Sequence, residues 1–407
     1  MLLWILWGCL GGDPTPNTTP NTTAQTVPQP VLKAVIPSPE RSGTARQTTV
    51  PMARSSGVEF AIDTLSSVVH DHGRDPANPW AIGHGLVAMG HPLKLANDAD
   101  AVQWLFANYA ERFSLGSEWL IRFPASKGSI RIEPHTDLIL KALADSGVPP
   151  STAVTVQGHP HTVGDLFRGS LAETWLNADT GASSYSSDND IPWSLLGLVS
   201  WSNTGMEWTD ESGRTSRLDD VANHTMNTLH TETRFLAKAQ QNNTSFQKKG
   251  QGIFKFTCGG AHLFQGAAHA TVLGFGQPEN KTLLAEQLHL LMYRFPRELA
   301  QIDQGAVEHP AFKLQLRIQR LKLTGHTLET LYRLSATELV GKADKVALEH
   351  ITAEVVKSVV LLKELNAFSQ ADTIRNKDEQ LYLDIVGDSA HALRGLKIAV
   401  NEGSVFY

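Results

Sequence analysis

Apolar residues recur at three- and four-residue spacing from about Val58 to the end of the chain, and this restricts the fold to a mainly helical one. The pattern is carried by VEFAIDTLSSVVHDH, ADAVQWLFANYAERF, HTDLILKALADSG, RLDDVANHTMNTLHTETRFLAKA, KLQLRIQRLKLTGHTLETLYRL and YLDIVGDSAHALRGLKIAV, among others. Alternation suited to strands is confined to short stretches, with Ser129–Ile132 and Thr152–Val156 the best. The expected class is all-α.

A second regularity is a glycine that opens an apolar helix shortly before a histidine. It occurs in Gly83-His84, Gly260-Ala261-His262, Gly325-His326 and Gly387-Asp388-Ser389-Ala390-His391. Sixty-four residues separate His262 from His326, and 65 separate His326 from His391. Two steps back from His262 fall near His135; the step between falls on the apolar start Ile191-Pro192-Trp193, and His84 precedes His135 by a shorter unit. About 64 residues suffice for two helices and two loops, so each unit reads as an αα-hairpin. The apolar, glycine-bearing member is the inner helix. Inner stretches such as HLFQGAAHATVLGFG are apolar nearly all round and need neighbours on every side, which favours about six hairpins closed into an α/α toroid. The alternative is an open α-solenoid, which shares the same local pattern.

Closure would bring the recurring histidines together. The spacing predicts His84, His135, His262, His326 and His391 around one rim, near helix N-termini whose partial positive charge keeps imidazole neutral. Neutral imidazole ligates metal or acts as a base. Cys258 stands four residues before His262, one turn away on a helix, and that pairing suits a divalent metal such as zinc or a nucleophile–base couple. The candidate metal ligands are therefore Cys258, His262, His84, His326 and His391. The candidate catalytic groups are His262, His135 with Asp137, and the acids Asp188 and Asp190. Those two acids lie in SSDNDIPW with Trp175, Trp193, Trp201 and Trp208 nearby, a combination suited to acid/base chemistry on a saccharide. The chain has no Walker loop, dinucleotide glycine fingerprint, HExxH, paired CxxC or Gly-x-Ser-x-Gly. A net charge of −6 argues against nucleic acid as a partner.

His84-Gly85 within AIGHGLVAMG resembles the His-Gly motif of lanthipeptide-cyclase-like toroids, and the ring of hairpins with Cys and His is similar to those and to prenyltransferase-like toroids. The resemblance implies architecture only. The cyclases hold zinc with two cysteines and a histidine, whereas this chain has one cysteine besides Cys9. The N-terminus carries its own resemblance: LLWILWGCLGG is too short to span a bilayer, and Leu6-Trp7-Gly8-Cys9 is similar to the lipobox of bacterial lipoproteins. That implies cleavage after residue 8, a lipid on Cys9, and an envelope address on the periplasmic or outer-membrane face. The Pro/Thr-rich stretch 9–55 reads as a disordered tether, and 56–407 as the helical body. Two functions are expected to compete. One is a membrane-anchored, metal-assisted hydrolase or lyase on an extracytoplasmic saccharide or peptide; the other is a non-catalytic binding or scaffold lipoprotein.

Overall fold

The computed structural model describes residues 34–337 and 339–407. The expected signal segment 1–8, Cys9 and the first part of the expected tether lie outside the described residues. Among those described, thirteen α-helices account for most of the chain and five two-stranded antiparallel sheets decorate it. The helices are α1 Ser56–His72, α2 Pro79–Met89, α3 Ala101–Tyr109, α4 Leu138–Asp145, α5 Val163–Glu173, α6 Ile191–Ser200 and α7 Leu218–Gln241. They continue with α8 Ala261–Val272, α9 Asn280–Glu308, α10 Lys313–Ser335, α11 Lys345–Glu364, α12 Ala371–Arg375 and α13 Glu379–Ala399. The strand stretch expected near Thr152–Val156 is the hairpin Ala153–Val156 with His159–Thr162. No helix among the described residues is long and apolar enough to cross a membrane.

Helix starts follow local chemistry. The side chains of Ser55, Asn78, Asp100 and Asp378 each accept a hydrogen bond from a first-turn amide, and Pro79 occupies a position where its missing N–H costs nothing. The strongly apolar helices are sequestered: every residue of α6 is buried, as is nearly all of α2 and α8. Each of these packs on the next, α2 on α4, α4 on α6, α6 on α8, α8 on α10 and α10 on α13, and α13 packs on α2. The more polar α1, α7, α9 and α11 pack against this set, α7 and α9 on α8 and α11 on α10. Two apolar clusters fill the space between layers and meet at Trp80 and Leu273.

The recurring glycines do not start helices in α10 and α13. His326 and His391 sit in the middle of helices that begin at Lys313 and Glu379, because the residues ahead of each glycine continue the helical period without a breaker. The glycines serve helix approach instead. A Cβ at Gly325 would lie 2.9 Å from the Ala392 Cβ and 3.1 Å from its Cα and N, so α10 and α13 are in near-backbone contact there. In an exposed helix, Gly→Ala stabilises by about 1 kcal/mol. Gly325→Ala is expected to do the reverse and to cost about 1–3 kcal/mol by overpacking. Urea denaturation checks the sign, and a stabilised variant would refute the close approach.

The expected tether also needs correction over its described part. Residues 35–52 lie along the ends of the helices. The amides of Glu40 and Arg41 donate to the Trp201 carbonyl (2.9 and 3.2 Å), Thr49 N to Ser335 O (3.3 Å) and Met52 N to Ala399 O (2.8 Å). Ala45–Arg46 pairs with Val405–Phe406, and Val50 is buried. The last carbonyls of a helix have no intrahelical donor. An extended Pro/Thr-rich strap that cannot form a core of its own has unused amides to offer at the C-terminal ends of α6, α10 and α13.

Candidate metal centre

Four of the five expected histidines come together. Ring centroids lie 4.1 Å apart for His326 and His391, 4.9 Å for His262 and His326, 5.2 Å for His262 and His391, and 5.5 Å for His84 and His391. His135 is one ring away: it stacks on Trp193 at 5.0 Å, and the Trp193 ring lies 3.9 Å from that of His262. All four central imidazoles are buried. Burial pushes the His84 ring down to about 4, and holds His262 and His391 well below the ordinary histidine range, with the positive Lys141 adding to the effect in each case. Neutral imidazole is thus secured by desolvation. The expected helix N-terminus applies only to His262, the second residue of α8; His84, His326 and His391 are inside their helices.

The ring nitrogens are oriented. His391 Nδ1 donates to the buried Glu329 carboxylate (2.7 Å), and His84 Nδ1 donates to the Trp80 carbonyl (2.9 Å). Both bonds leave Nε2 with the lone pair. Metal-ligating histidines commonly use this arrangement, in which a carboxylate or carbonyl on one nitrogen fixes the tautomer of the other. His391 Nε2 and His262 Nδ1 are buried and make no hydrogen bond among the described residues. Two such nitrogens in one buried cluster offer positions for a ligand.

Cys258 completes the group. Its sulfur and one nitrogen each of His262 and His326 lie within 4.8 Å of one another, and a second such set joins His326, Glu329 and His391. His84 belongs to neither set and adjoins His391 as a neighbour. The cysteine sits in a turn, Thr257–Gly260, where Cys258 (φ 54°), Gly259 (φ 61°) and Gly260 (φ 77°) are all left-handed. Glycine adopts that region freely; cysteine does so at a cost. The turn is clamped by the Thr257 amide donating to Asn189 Oδ1 (2.8 Å) and by Arg294 Nη2 donating to the Gly259 carbonyl (2.6 Å).

The carboxylates expected to be catalytic have other partners. His135 Nδ1 donates to Asp190 (3.1 Å), not to Asp137, and Ser186 Oγ donates to the same acid (2.7 Å). Asp137 is buried, accepts from Ser170 Oγ (2.6 Å) and Ser194 Oγ, and is pushed up to about 6 by burial against the pull of those hydroxyls. Asp188 is exposed and is held below the usual carboxylate range by the His224 imidazole beside it. Asp188 and Asp190 therefore do not act as a pair. Trp193, Trp201 and Trp208 are core residues no more than 4% exposed, so they form no saccharide platform. Their aromatic area is worth more sealed inside than lining a cleft.

Beneath the histidines lies a layer of buried charge that the sequence reading missed. Asp145 accepts from Lys141 Nζ (2.8 Å) and Arg333 Nη1 (2.7 Å), and Arg394 lies 3.8 Å away. Burial alone would raise its carboxyl; Arg333, Lys141 and Arg394 together hold it well below the usual range. Glu329 accepts from His391 and its other oxygen lies 3.2 Å from Arg394 Nε. The available signal was helical spacing, with Lys141 and Asp145 one turn apart and His326, Glu329 and Arg333 on one face of α10.

His269 borders this layer. Its ring stacks on Tyr407 (4.7 Å) and bonds Ser200 Oγ (3.0 Å) and Arg333 Nη2 (3.4 Å). Burial first, and Arg333 second, hold it well below the ordinary histidine range. Below about pH 6.5 the unfolded chain takes up a proton there that the folded chain refuses. Stability should fall as pH falls, by about 1.4 kcal/mol per pH unit from this residue. His269→Gln should flatten the slope of unfolding free energy against pH between 6.5 and 5; an unchanged slope would contradict the assignment.

A scan against protein-family models, a search of curated proteins and a search of solved structures each returned no match to this chain.

Proposed function

We propose that the chain is an α/α toroid whose inner helices α2, α4, α6, α8, α10 and α13 enclose a divalent metal centre, and that it acts as a metal-assisted hydrolase or lyase. The ring reading is supported by α13 packing on both α10 and α2, which returns the succession of inner helices to its start. The observation that carries the metal reading is the convergence of Cys258, His262 and His326, joined through His326 to a second set with Glu329 and His391, with buried nitrogens of His262 and His391 that lack partners. One thiolate and up to three neutral imidazoles suit zinc, which takes nitrogen and sulfur ligands tetrahedrally.

The centre fits catalysis better than a purely structural site. A pocket reaches Cys258 and His326, and catalytic zinc sites keep one position open toward substrate. When bound, zinc would polarise a carbonyl and lower the pKa of a water. The protein would supply the rest: Glu329 orients His391, Asn189 and Arg294 aim Cys258, and His84 stands beside His391 as a neutral base. The lipobox-like Leu6–Cys9 supports attachment to an envelope membrane by a lipid on Cys9, which would place the substrate outside the cytoplasm.

The test is metal content. The full chain, loaded with zinc and dialysed, should retain about one zinc per chain by elemental analysis, and His262→Ala should lose it. A wild-type protein that retains none would remove the metal reading.

A further inference from the structure

The metal reading leaves the substrate undefined, and the cavity beside the centre limits its size and charge. The cavity lies between inner helices α8 and α10, backed by α7 and α9, with Cys258 and His326 in its wall. Its volume is about 30 Å³. One buried water needs about 10–15 Å³ of such space, so the room suits about two waters or a ligand of very few atoms. A sugar ring or a peptide segment does not fit.

The wall is apolar in part, and its polar part comes from Thr233, Gln287, Arg294, Thr327 and Thr330. Two of these hydroxyls are spent within the wall. Thr330 Oγ1 donates to the His326 carbonyl (2.7 Å), and Thr233 Oγ1 donates to Gln287 Oε1 (2.9 Å), which leaves the amide nitrogen as the open end of Gln287. Arg294 uses Nη2 on the Gly259 carbonyl and has Nε 2.8 Å from Glu298. Gln287 Nε2, Thr327 Oγ1 and Arg294 Nη1 make no hydrogen bond among the described residues, although all three residues are buried. Amide and guanidinium nitrogens only donate, and a hydroxyl can donate, so the three suit an oxygen that accepts. The charge favours an anion. Glu298 is shared between Arg294 and Lys248 Nζ (3.7 Å), so two cations stand against one carboxylate at this end of the cavity.

We infer that the centre takes a one-carbon carboxylate of the size of formate, with one oxygen toward the metal at Cys258 and His326 and the other toward Gln287, Thr327 and Arg294. Hydrogen bonds from such donors to an ionised oxygen are the strong kind. The inference rests on the metal reading, since the metal supplies the first anchor.

Sodium formate and sodium butyrate are the probes. Each is titrated into the cobalt-loaded full chain and followed through the visible spectrum, with metal content measured beside it. Butyrate is the more basic carboxylate and the better ligand for a free ion, so a preference for formate has to come from the cavity. Formate is expected to shift the spectrum with an affinity at least about tenfold above that of butyrate. Thr327→Val keeps the volume and removes the hydroxyl, and Gln287→Met keeps the length and removes the amide. Each should weaken formate about tenfold, the usual effect of losing one hydrogen bond to a charged group, with metal content unchanged. If Gln287→Met does not fold, Thr327→Val decides. A spectrum that formate leaves unchanged, equal affinities for the two probes, or a formate affinity that survives the substitutions would overturn the carboxylate seat, leave its donors to water, and leave the metal centre standing. Failure to take up cobalt at all would overturn both.

Discussion

Asp145→Ala is expected to cost about 3–5 kcal/mol of folding stability, a large share of what a domain of ordinary stability has. The carboxylate is 1% exposed and contacts Lys141, Arg333 and Arg394, themselves no more than 5% exposed at the side chain. Removing the acid leaves three buried cations, of which Arg333 and Arg394 still reach Glu329. Asp145→Asn keeps the volume and should cost nearly as much, which separates lost charge from lost shape. Because its folded pKa is depressed, Asp145 contributes stability that is present above the unfolded value near 4. That contribution is lost only as pH falls toward the lower folded value. Urea melts at pH 7 measure the loss, and a change below about 1 kcal/mol would show that the charges are reached by water.

Cys258→Ala and His326→Ala are each expected to weaken zinc binding by more than about 100-fold, since loss of an outer-shell partner alone costs about 10–100-fold. Glu329→Gln tests that smaller range through His391. His230, which pairs with Glu286 at the surface, supplies a control that should leave affinity unchanged. Cys258→Ala should stay folded, because the bonds from Thr257 to Asn189 and from Arg294 to the Gly259 carbonyl that hold the left-handed turn remain. Competition with a chromophoric chelator gives the affinities. If the alanine variants bind zinc as the wild type does, the metal lies elsewhere.

The helical class and the meeting of His262, His326 and His391 were legible because periodicity and the 64- and 65-residue spacings are written locally along the chain. The glycines were read in the wrong role. A glycine before a histidine looks like a helix start, and only the nearness of Ala392 to Gly325 shows that it is a point of approach between two helices. The strap was misread for the same kind of reason: its composition cannot build a core, but the carbonyls of Trp201, Ser335 and Ala399 that hold it are far away in sequence. Asp145 and Arg333 meet across 188 residues, so neither announces the other. His135 was paired with Asp137 by proximity in sequence, whereas the left-handed backbone at Asp137 accompanies a carboxylate bound to Ser170 and Ser194.

Cobalt substitution tests the central claim most directly, because cobalt reports its ligands by colour. Titrating the metal-free full chain with cobalt(II) should give a visible spectrum of tetrahedral type that saturates at one equivalent. A near-ultraviolet thiolate charge-transfer band should accompany it and disappear in Cys258→Ala. A spectrum that remains that of the hydrated ion, or a bound cobalt without the thiolate band, would contradict a centre built from Cys258 and the buried histidines.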